Sequence, residues 1–212
     1  MVSVMQRLLA SLFFFGVFLT AASADSPPVH LRGAIQSVTG QGFSMSGGSA
    51  PVAVKITDAT RITSLEAAQV EDITPGLFVG TAAIPQPDGK LKALEVHIFP
   101  ESMRGTGEGY RPFPQVTGGS MTNATISNIL GTEGAVTDNG LTLTLKYKDA
   151  ANNAGQQTVV VPKGTPVVLL GKGDASMLKQ GAKVSVTGTK DASGALTATR
   201  ILVGLDGATP PI

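Results

Sequence analysis

Metal and acid–base chemistry has little to draw on in this chain. It has 2 His and no Cys, and its 15 Asp and Glu are scattered among many hydroxyls. Glu95 and His97 are the best-placed pair. They lie two residues apart in an alternating run, so their side chains leave the same face of a strand. Val96 and Ile98 take the inner face. A carboxylate beside an imidazole is the start of a metal site, but a closed site takes four donors, and the only other histidine is His30. Glu95 and His97 are therefore weak metal candidates, expected on a solvated outer face. A serine-type triad needs a nucleophile, a histidine and an orienting acid converging in space. No such set is legible, so the chain is expected to be no enzyme, with no catalytic residue and no cofactor.

The glycines of Gly105-Thr106-Gly107-Glu108-Gly109 follow an expected strand at Leu94–Phe99 and superficially resemble a phosphate-cradling loop. That loop works by aiming a helix N-terminus at the phosphate. Pro112 and Pro114 forbid a helix there. The surrounding stretch, 99–122, is unusual for a linker. Arg104, Glu108, Tyr110, Arg111 and Phe113 stand among its glycines and prolines, with Glu101 beside them. Arginine stacks on aromatic rings and pairs with carboxylates in a fork. These five residues are the candidate ligand or interdomain site, expected to pack in a groove between domains. Asn123-Ala124-Thr125 matches a glycosylation sequon at the edge of a strand.

The elements that hold these residues repeat. Gly76–Ile98 aligns without a gap on Gly181–Val203: Gly76 meets Gly181, Val79 meets Val184, Gly89 meets Gly194 and Leu91 meets Leu196. Earlier, Arg32–Val38 answers Ala124–Ile129, and Pro51–Ile56 answers Gln157–Val161. A spacing of about 105 residues is too long for a solenoid and reads as domain duplication. Each copy is β in character. Leu141, Leu143, Leu145 and Tyr147 alternate with Thr142, Thr144, Lys146 and Lys148, the period of a half-buried strand. Asp138-Asn139-Gly140, Gln86-Pro87-Asp88-Gly89 and Asp191-Ala192-Ser193-Gly194 supply turn chemistry. Short helical turns are expected only at Leu65–Val70 and Asp174–Lys179. Many short strands between Gly and Pro turns point to small closed barrels, which remove exposed edges.

Before the repeats, Arg7, an apolar run from Leu8 to Leu19 and Ala22-Ser23-Ala24 form the pattern of a cleaved secretory leader. The expected organisation is a signal peptide at 1–24, a first barrel at 25–98, a linker at 99–122, a second barrel at 123–204 and a tail at 205–212 unlike the linker. Without Arg7 the 16 basic residues fall to 15 against 15 acidic ones. A nucleic-acid binder shows a basic excess, so nucleic acid is not an expected partner. No later stretch is long and apolar enough to span a bilayer as a helix. The expected product is a soluble periplasmic protein.

Leu178–Thr189 and Gly194–Ile201 resemble a family of small exported bacterial OB-like barrels known only as a domain of unknown function. Lys92–Gly109 and Ser120–Thr125 are similar to segments of uncharacterised exported alphaproteobacterial proteins, some of them labelled metal transporter permeases. A permease needs membrane-spanning helices, which this sequence lacks. The resemblance implies two tandem OB-like barrels and carries no catalytic residue. The reading that follows is a non-enzymatic binding or structural module acting on an unknown ligand or periplasmic protein. The alternative is a metal-handling accessory protein using Glu95 and His97.

Overall fold

A computed structural model describes residues 27–48, 50–130 and 140–211. The expected leader at 1–24 and the first two residues of Asp138-Asn139-Gly140 lie outside them. Alternation in the sequence becomes strands, as expected: β1 Val29–Thr39, β2 Gly42–Ser46, β3 Pro51–Lys55, β4 Arg61–Ala68, β5 Phe78–Pro85, β6 Leu91–Ile98, β7 Gly109–Pro112, β8 Ser120–Leu130, β9 Leu141–Lys148, β10 Ala154–Val161, β11 Val167–Lys172, β12 Lys183–Lys190 and β13 Leu196–Gly204. The fold is all-β. The only helical pieces among the described residues are single 3-10 turns at Val70–Asp72, Glu101–Met103 and Ala175–Met177. The turn expected at Leu65–Val70 starts later, because β11 pairs with β4 and holds Leu65 to Ala68 extended.

Two small barrels close, but neither uses one copy alone. In the first, β1, β2 and β3 run antiparallel, and β12 pairs with β1. β13 then closes the ring, antiparallel to β12 and parallel to β3 at Leu196↔Val54 and Thr197↔Lys55. In the second, β8, β9 and β10 are completed by β5 and β6, with the parallel closure at Leu91↔Val159 and Lys92↔Val160. Five strands per ring with one parallel closure is an OB-like arrangement. The late hairpin of each copy therefore completes the barrel of the other copy. The sequence boundaries 25–98 and 123–204 mark the repeat, not the closed barrels.

The exchange is symmetric down to single hydrogen bonds. Gly76 donates its N–H to Ile126 O at 2.9 Å, and Gly181 donates to Ile35 O at 2.8 Å. Ile126 and Ile35 return the bond to Leu77 O and Ala182 O, each at 2.9 Å. Gly76 and Gly181 both have φ 86°, the left-handed conformation glycine favours, at the turn that opens each hairpin. Each core is accordingly mixed. Ile35, Phe43, Met45 and Val54 of the first copy pack with Val184, Val186, Leu196 and Ile201 of the second. Val79, Val96 and Ile98 pack with Ile126, Leu143 and Val159.

β4 and β11 join the barrels. Each runs parallel to the hairpin its barrel has received, β4 beside β13 and β11 beside β6, and the two pair antiparallel with Leu65 opposite Leu170. Leu65 and Leu170 are equivalent in the repeat, so the pseudo-twofold axis passes through this pair. A third cluster covers the junction: Leu65, Phe78, Phe99, Val168 and Leu170, with Met103, Leu202 and Ala208 against it. The tail departs from expectation here. Leu205 donates to Leu65 O and Ala208 to Leu205 O, repeating the turn in which Met103 donates to Pro100 O. The tail thus retraces the first residues of the linker, because the same apolar junction needs covering on both sides of the axis.

Candidate functional site

The linker is held down residue by residue. Arg104 grips Glu101 in a fork, Nε to Oε1 at 2.6 Å and Nη2 to Oε2 at 2.7 Å. Its guanidinium also donates to Gly76 O at 2.9 Å and to Thr125 Oγ1 at 3.1 Å. It lies 6.0 Å from the centre of the Phe78 ring, which meets Phe99 edge-on at 5.3 Å. The fork raises the Arg104 pKa and lowers that of Glu101. Glu108 Oε1 accepts the Lys148 N–H at 3.0 Å, pinning the linker to β9. Arg111 Nη1 donates to Gly107 O at 2.8 Å. Tyr110 and Arg111 sit on β7, which adds to β8 opposite Thr122 and Met121, and both side chains are exposed. Phe113 is half-buried where the chain turns, its N–H bonded to Gly119 O. Of the five candidate residues, Arg104 and Glu108 are anchors, Tyr110 faces solvent, and Arg111 is exposed but bonded back to Gly107.

Glu95 and His97 share one face, and His97 Nε2 is 3.3 Å from Glu95 Oε1. That face is not solvated. Glu95 is 0% exposed, and neither of its oxygens nor His97 Nε2 has a hydrogen-bond partner. The neighbouring strand is packed from the linker side. Gly80 pairs with His97 on one flank and Asn123 on the other. A Cβ on Gly80 would lie 2.8 Å from Asn123 Oδ1 and 3.1 Å from the Phe99 ring. Asn123 in turn donates its amide to Thr106 O at 2.9 Å. Glycine at position 80 thus lets Asn123 and Phe99 close over the strand. The sequon asparagine is 6% exposed and committed to the linker. Alternation placed Glu95 on the right face; its burial depended on tertiary packing, which leaves no period to read. Among the described residues no group of three or more His, Asp, Glu or Cys forms a metal-binding cluster. His30 is far from the pair in the fold, bonded through Nδ1 to Thr187 Oγ1 at 2.9 Å on the first barrel.

One group has no local signature in the sequence. Arg200 on β13 lies opposite Arg61 on β4 and Thr187 on β12. Burial lowers the Arg111 pKa, and repulsion from Arg200 lowers it further. Arg111 is exposed by area yet partly desolvated by its neighbours. These arginines are about 50 to 140 residues apart in sequence, and only the exchanged sheet and the linker bring them together.

Two barrels of OB-like closure, each repeating one pattern, define a duplicated small-barrel protein. The chain belongs to the family described as a domain of unknown function, DUF5666, which it matches over residues 32–97 and 133–201. Each matched segment contributes strands to both barrels. No curated protein and no solved structure matches the chain. No helix among the described residues is long and apolar enough to cross a membrane.

Proposed function

We propose that this is a non-enzymatic binding or structural module that works in the periplasm after export, with its contact surface along the linker. One observation carries the reading: the linker is fastened over the sheet by Arg104, Glu108 and Asn123, yet it presents Tyr110, 43% exposed, and Arg111 outward from β7. A rigid edge strand bearing an exposed aromatic and an arginine combines the residue types enriched where proteins bind. Small barrels of this class bind through strand faces and loops. The leader pattern at 1–24 supports export. Metal handling is less well supported, since Glu95 and His97 supply two donors where a stable site uses three or four.

The test is a photo-crosslinking residue placed at Tyr110 in the native cell, with Leu169 as a control exposed at a comparable 42% on another strand. A discrete adduct from position 110 and none from 169 is expected. Equal labelling from both positions, or none from either, would overturn the reading. Cell fractionation tests the compartment: the protein should leave with the osmotic-shock fluid.

A further inference from the structure

We propose that the outer face of the first barrel holds an oxyanion site of the phosphate type, formed by Arg61 and Arg200. Strand register builds it. β4, β13, β12 and β1 lie side by side, and Arg61, Arg200, Thr187 and His30 are successive partners across them. Paired residues share a face, and neighbouring strands stand about 4.8 Å apart. The next row, Ile62, Ile201 and Val186, points into the core, so this row points out. The linker's Arg111 is charge-coupled to this row: burial lowers its pKa, and Arg200 lowers it further.

None of the three arginines has an acidic partner. The ion pairs among the described residues are Lys55–Asp191, Lys90–Asp88, His97–Glu95 and Arg104–Glu101. Like charges gathered without a counter-charge repel one another, and a multiply charged oxyanion is the complement that relieves them. Guanidinium groups receive such an anion in bidentate fashion. Thr187 and His30, already bonded to each other, extend the row with further hydrogen-bonding groups. A phosphate suits paired guanidiniums better than a carboxylate, which brings one charge and two oxygens.

The pseudo-twofold provides an internal comparison. Glu95 occupies on β6 the place that Arg200 occupies on β13, and it is buried. The second barrel cannot offer the same site, so one anion per chain is expected. The inference rests on the binding-module reading and specifies the chemistry of the surface beside β7.

Arg61 and Arg200 are exposed, so Arg61→Gln and Arg200→Gln should fold as the parent does. Titration with inorganic pyrophosphate, followed by NMR and calorimetry, is one arm. Co-sedimentation with phosphatidylglycerol vesicles against phosphatidylcholine vesicles is the other. Saturable binding in either arm, with one site per chain and at least tenfold weaker in each variant, supports the site. The first arm indicates a free phosphate compound and the second a lipid headgroup. No saturable binding in either arm, or binding indifferent to Arg200→Gln, overturns the site. Crosslinking from position 110 that survives Arg200→Gln would then leave the binding-module reading standing without the anion.

Discussion

Glu95 is the residue whose surroundings most need a physical account. A carboxylate with 0% exposure and no hydrogen-bond donor is costly to bury, and His97 is the basic group within ion-pair distance of it. Replacing both members of such a pair with apolar groups is often neutral or stabilising, whereas removing one strands the other. His97→Leu should therefore lower stability by about 3 kcal/mol, and the double variant Glu95→Leu/His97→Leu should recover most of that loss. Urea denaturation of the two single variants and the double variant measures the coupling directly. Asp191 shows the opposite case, an exposed carboxylate well supplied with donors. The Ser193 hydroxyl, the Ser193 and Ala195 N–H groups and Lys55 bring its pKa down to about 2. A lowered carboxylate pKa adds stability above the unfolded value near 4 and loses it as pH falls through the folded value. The advantage of the parent over Asp191→Asn should be full at pH 7 and vanish near pH 2, which melts at a series of pH values will show.

At the scale of elements, what matters is which strands the hairpins complete. Val184 is 1% exposed in the first barrel and Val79 0% in the second. An aspartate at Val184 has no compensating partner and should cost more than about 3 kcal/mol. Its location is the sharper expectation. Val184 sits in the second sequence copy but packs with Ile35, Phe43 and Val54. Hydrogen exchange in Val184→Asp should therefore lose protection first over β1 to β3 and keep it over β8 to β10. The reverse order would mean that each copy closes its own barrel. The strands, the turns and the duplication were legible because period 2 and turn residues are local signals. The exchange was not, because β5–β6 and β12–β13 present the same inward pattern and the 3-10 turns preceding them, at Val70–Asp72 and Ala175–Met177, occupy equivalent positions. A hairpin that fits either barrel carries no local mark of the one it joins. The candidate site was legible to the same extent. Composition identified the linker's large side chains, while Arg61 and Arg200 needed the register between β4 and β13, a pairing that only the exchange creates.

At the scale of the whole molecule, the exchange changes what the linker is for. If each copy closed on itself, the two barrels would touch at a modest interface and move independently once the connection was cut. Here the first ring is β1–β3 with β12 and β13, and the second is β8–β10 with β5 and β6. Separating the sequence copies would remove two of five strands from each ring and open both cores to water. The linker therefore does not hold the copies together; it raises the effective concentration at which they find each other and covers the junction through Arg104, Phe99 and Met103. Trypsin reads these roles separately. Arg104 is held by four hydrogen bonds to Glu101, Gly76 and Thr125, and the bond after it should resist cleavage. Arg111 is followed by proline, which trypsin cuts poorly, so a cleavage site for another protease is best introduced in the exposed turn at 115–118. After cleavage there, a denaturing gel should show two fragments, while size-exclusion chromatography should show one species at the parent position. NMR relaxation should return one correlation time for both barrels before and after the cut. Elution as two separate folded halves would mean that the hairpins stay with their own copies and that the shared barrels do not form in solution.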